Sequence, residues 1–137
     1  MCLAGASALQ QVLLEHPKAK LKVLAVWEPV IVSDITPPSS SKLARLSDAR
    51  VEQFWDGGRL LSRSFLSMAR AHPERLEEKQ REHLATARTV WDFIALFPPN
   101  AHWAEELPFP EFSGAPVVDV MDEVKSRIGA AETDLRK

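Results

Sequence analysis

The 137-residue sequence predicts an α/β sandwich in which a mixed central sheet of about four strands is flanked by helices. Three observations carry that prediction. Residues 21–27 and 89–97 are apolar at nearly consecutive positions, the pattern of strands covered on both faces. Segments with apolar residues at helical spacing alternate with these runs. The last two strand-like segments then follow one another without a helix between them, so the sheet is mixed rather than wholly parallel.

The elements follow in order. Residues 3–15 place Ala6, Leu9, Val12 and Leu13 on one helical face, and His16-Pro17 ends the pattern because proline disfavours helix in the residue before it. LKVLAVW (21–27) reads as a central strand stopped by Glu28-Pro29. Residues 30–41 carry Pro37-Pro38 and three serines, an irregular connection able to cap a short helix containing Leu43 and Leu46. RVEQFW, from Arg50 to Trp55, has the mixed polarity of an outer strand and stops at Gly57-Gly58.

Leu61, Phe65, Met68 and Ala69 then recur at helical spacing, and Pro73 suits the first position of a following helix. Residues 74–84 form a charged helix face on which Glu77 precedes Arg81 by one turn. TVWDFIALF (89–97) is a further strand, residues 100–114 a long ordered loop, and residues 116–120 a short last strand. A closing helix over 122–128 turns Val124 and Ile128 inward. A single domain thus covers 1–129, with a polar, frayed tail over 130–137.

Composition narrows the function classes. A charge of -2 with interspersed signs offers no footprint for a phosphate backbone, so no nucleic-acid partner is expected. No apolar run reaches the roughly 18 residues that span a bilayer, and no export leader is evident, so the expectation is a cytoplasmic protein with no membrane partner. The lone Cys2 cannot close an intramolecular disulfide. His16, His72, His83 and His102 lie in separate segments without metal-ligand spacing. Nucleophile-elbow, P-loop and dinucleotide patterns are missing, so no metal and no cofactor is expected.

The element order resembles a thioredoxin fold lacking its N-terminal strand. In that fold a strand leads to Cys-x-x-Cys, whose second cysteine opens a helix; here Cys2 and residues 3–9 occupy that place. The chain is similar to a bacterial group of thioredoxin-like proteins at Trp27-Glu28-Pro29, at Asp48-Ala49-Arg50-Val51-Glu52-Gln53-Phe54-Trp55-Asp56, and at Val90-Trp91-Asp92. It departs from the thioredoxin pattern twice. The first cysteine of the pair would fall before residue 1, and Ala87-Arg88-Thr89 holds no proline where that fold carries a cis-proline. The resemblance therefore implies the fold without dithiol chemistry.

Two candidate sites emerge. Cys2, at a helix N-terminus, is the candidate redox thiol, with a packed relic of a resolving position and an intermolecular disulfide as alternatives. Trp27-Glu28 and Trp55-Asp56 end two parallel strands, while Trp91-Asp92 begins an antiparallel one, so topology sends all three pairs to one rim. Aromatic walls and carboxylates would suit a small polar or cationic ligand or a peptide. The alternative is that the rings are core and the acids cap the next helix or turn.

The function expected is a binding or interaction module. A monothiol oxidoreductase or peroxide-reactive protein using Cys2 is the alternative, and a folded remnant of a longer thioredoxin-like protein is a third reading. Loss of an outer strand would bare the edge of Arg50 to Trp55, which predicts a homodimer paired through it, the competing remedy being that the loop from Asn100 to Gly114 covers the edge within one chain.

Overall fold

A computed structural model describes residues 3–134, and Cys2 lies outside the described residues. The main elements follow in order: α1 (Leu3–Glu15), β1 (Val23–Trp27), α2 (Ser40–Leu43), β2 (Val51–Trp55), α3 (Leu60–Ala71), α4 (Glu78–Thr86), β3 (Ile94–Leu96), β4 (Phe112–Gly114) and α5 (Met121–Asp134). Of these α2 is a single turn, and 3-10 turns over Pro73–Arg75 and Val117–Val120 precede α4 and α5. None of the helices described is long and apolar enough to cross a membrane.

The strands form two separate pairs, which corrects the expectation of one sheet about four strands wide. β1 and β2 are parallel, with Val23 opposite Val51 and Trp27 opposite Trp55. β3 and β4 are antiparallel, with Ile94 opposite Gly114. The thioredoxin-like sandwich built on a continuous central sheet is therefore not what this chain forms.

The division has local causes. Asp92 adopts a left-handed backbone (φ 48°) that breaks the apolar run 89–97, so only Ile94–Leu96 is extended enough to pair. Residues 116–120, expected as a strand, instead curl into the 3-10 turn, where the Asp119 N–H donates to the Pro116 carbonyl at 3.1 Å. The partner of β3 comes from the end of the expected loop 100–114. The one cis peptide bond described, Ala115–Pro116, follows β4.

The core has two compartments. Phe65, Leu66, Met68 and Ala69 of α3 pack with Leu76, Leu84 and Leu107, and Phe93 meets Phe65 edge-on at 4.6 Å. Val12 of α1 packs with Val117, Met121 and Val124, flanked by Ile94, Leu96 and Phe112. The pair β3–β4 thus presents Ile94 to one compartment while adjacent Phe93 serves the other, as alternation along an extended chain requires. Arg81 does not pair with Glu77; its guanidinium donates to the carbonyls of Pro73 (3.0 Å) and Leu76 (3.2 Å). α5 continues through Asp134, and Glu132 on its last turn bonds His16 Nδ1 at 3.1 Å.

The hydrogen-bond phase of β1–β2 leaves one edge of β2 open. Val23 N–H donates to Arg50 O at one end, and Asp56 N–H donates to Trp27 O at the other. In a parallel ladder alternate residues face the partner, so Glu52 and Phe54 address β1 while the backbone groups of Gln53 and Trp55 point away from it. No further strand pairs with that edge among the described residues.

Candidate functional site

The C-terminal ends of β1 and β2 bring Trp27 and Trp55 side by side. The acids that follow them turn into the start of α3. Asp56 accepts the N–H groups of Gly58 (3.2 Å) and Leu61 (2.9 Å). Glu28 accepts the Ser62 N–H at 3.0 Å through one oxygen and the Ser62 hydroxyl through the other. These carboxylates satisfy N–H groups that a helix start leaves without intrahelical partners, and they face the positive end of its dipole.

The same crowding perturbs Glu28. Burial pushes its carboxyl above the ordinary value, the Ser62 hydrogen bonds oppose that rise, and the nearby Asp56 adds to it. Ser62, only 2% exposed, also accepts the Val90 N–H at 3.0 Å. One hydroxyl therefore joins the rim of β1–β2 to the segment leading into β3.

The six rim residues meet different fates. Trp27 is 8% exposed, and its indole N–H donates to Gln53 Oε1 at 3.0 Å, so it belongs to the core. Trp55 is half-buried and lies along Gly57, where an added Cβ would stand 3.1 Å from its Nε1. Asp92 turns toward α1: its Oδ1 is buried without a partner, 3.0 Å from where a Cβ on Gly5 would sit. Trp91 is exposed and walls a cleft of about 190 Å³ shared with Lys79, His83 and Phe93. Trp27, Glu28, Trp55 and Asp56 thus form one rim, while Trp91 and Asp92 face α4 and α1. Among the described residues no three His, Cys, Asp or Glu side chains converge as metal ligands would.

The stretch 48–56 serves as a joint between elements. Asp48 and Arg50 pair at 2.8 Å, and the Arg50 guanidinium also donates to the carbonyls of Leu13 (2.7 Å) in the last turn of α1 and of His16 (2.7 Å) and Ala19 (3.2 Å) just beyond it. Gln53 Nε2 donates to Leu43 O (3.1 Å) and Leu46 O (2.8 Å). Together with Asp56 at the start of α3, these polar side chains tie β2 to three neighbouring segments.

Ser62 lies outside the motifs visible in the sequence. Its signal is a polar residue on the face of α3 that also carries Phe65, Leu66 and Ala69, where an unbonded hydroxyl would be costly. Arg50 gives no comparable signal, because its carbonyl partners lie far back along the chain. No family model, no curated protein and no solved structure matches this chain.

Proposed function

We propose that the protein is a binding module that assembles with a second copy of itself through the open edge of β2, and that it performs no dithiol exchange. The unpaired edge of β2 carries this reading: the backbone groups of Gln53 and Trp55 point away from β1 and invite another strand. The adjoining face supports it, since Leu24 and Phe54 are 59% and 48% exposed. A two-fold axis beside β2 would pair two such strands antiparallel and bring the two apolar faces together.

The later part of residues 100–114 is engaged elsewhere, which supports pairing over cover by this loop. Leu107 is buried against α3 and α4, and Glu111 N–H donates to Leu96 O at 2.8 Å. The polar rim supports ligand binding less well than pairing, because Glu28 and Asp56 already direct their oxygens at α3. Sedimentation at micromolar concentration should give twice the 15.3 kDa of one chain, and Phe54→Lys should shift it to one. A wild-type protein that sediments only as a 15.3 kDa species would overturn the proposal.

A further inference from the structure

Charge of both signs is distributed over this chain, which carries a net charge of -2, but arginines gather where α3 meets the end of α4. Arg63, Ser67 and Arg70 share a face of α3 at helical spacing, and Thr86 and Arg88 approach them from the end of α4. These five side chains surround an open cleft of about 480 Å³ floored by buried Leu66, and no carboxylate lines it.

The three arginines are not equivalent. Arg70 is anchored, donating to Leu84 O (3.3 Å) and Ala87 O (2.6 Å). The guanidinium groups of Arg63 and Arg88 make no hydrogen bond or ion pair among the described residues, and both side chains are exposed. Like charges held around one cleft repel each other, so the arrangement is stabilised when an anion occupies it.

We infer that this cleft binds a small organic phosphate monoester. Guanidinium forks match the oxygens of a phosphate in pairs, and the hydroxyls of Ser67 and Thr86 add donors suited to a tetrahedral dianion. The volume falls within the range of small-ligand sites. Half-buried Ala87 and the aliphatic stems of the arginines offer apolar surface to the organic group, and the net negative charge of the whole chain disfavours a nucleic-acid backbone.

Calorimetric titration of the full chain with phenyl phosphate, using benzoate as a monoanionic comparison, tests the assignment. Phenyl phosphate should saturate one site, bind more tightly than benzoate, and weaken as salt rises. Arg63→Gln and Arg88→Gln should each weaken it about tenfold, the scale of one charge-assisted contact. Because both side chains are exposed and unbonded, the thermal midpoints of the ligand-free variants should equal or exceed that of the parent. The inference fails if phenyl phosphate does not saturate, if benzoate binds equally well, or if the double variant binds like the parent.

Discussion

Replacing Arg50 with alanine removes a guanidinium that donates to both oxygens of Asp48 and to three main-chain carbonyls, those of Leu13, His16 and Ala19. The pair is largely shielded, with side-chain exposures of 19% and 13%, so water replaces these bonds incompletely. Leu13 O is left without a partner, because Pro17 has no N–H, whereas His16 O and Ala19 O keep the N–H groups of Ala19 and Leu21; the three lost bonds together cost about 2–3 kcal/mol, and the abandoned carboxylate costs about 1–2 kcal/mol more. Arg50→Ala should therefore lose about 3–5 kcal/mol, a large share of the roughly 5–15 kcal/mol that holds a domain of this kind together. Arg50→Lys keeps the charge but not the fork, so about half of that loss should remain.

The pH dependence gives an independent check on the same clamp. The Arg50 guanidinium, followed by the Arg50 backbone N–H, lowers the Asp48 carboxyl from 3.8 to about 2. Since the folded value is depressed, this contribution is present above pH 3.8 and is lost as the pH falls through about 2. The difference corresponds to about 1–2 kcal/mol after solvent screening. Urea unfolding followed by tryptophan fluorescence should show the loss in Arg50→Ala at pH 7 and a shallower acid limb below pH 4. A cost under about 1 kcal/mol, with an unchanged acid limb, would refute the clamp as the joint between α1 and β2.

Gly5→Ala should destabilise the protein by about 1–3 kcal/mol despite alanine's better helix propensity, because the new Cβ would stand 2.9 Å from Val117 Cβ. A thermal midpoint at or above that of the parent would show that Val117 yields freely. Glu28→Gln should flatten the stability profile above pH 4.5: the raised folded value means that the parent loses stability as pH rises through it, whereas the amide does not titrate. Midpoints measured from pH 4 to 8 check this, and parallel profiles would contradict it. Insulin reduction recycled with dithiothreitol should match the buffer control, since net reduction needs a resolving thiol and Cys2 is the chain's single cysteine; a rate abolished in Cys2→Ser would reverse that expectation.

Local pattern alone determined a good part of this molecule. The apolar spacing of residues 3–15 and the stop at Pro17 correspond to α1, and the face carrying Phe65, Met68 and Ala69 corresponds to α3. The dense run VLAVW and the bounded segment VEQFW became β1 and β2, whose shared direction puts Trp27 beside Trp55. Gly57-Gly58 after Asp56 announced the turn that Asp56 caps. Each of these signals acts within a few residues, where periodicity and turn chemistry act.

Tertiary structure decided what those elements meet. Periodicity identifies the side of a strand or helix that is covered, but it does not identify the covering element. Of the four expected strands, three formed at least in part and 116–120 curled into a 3-10 turn, so the shortened β3 took its partner from the end of the expected loop and the strands stand in two pairs. The rim acids were visible in the sequence, whereas the commitment of Glu28 to α3 depended on Ser62, thirty-four positions beyond it. Arg50 likewise reaches thirty-seven positions back to Leu13. A hydrogen bond closed across such a separation leaves no local trace, because both partners are ordinary polar groups until the chain folds them out of water and each requires the other.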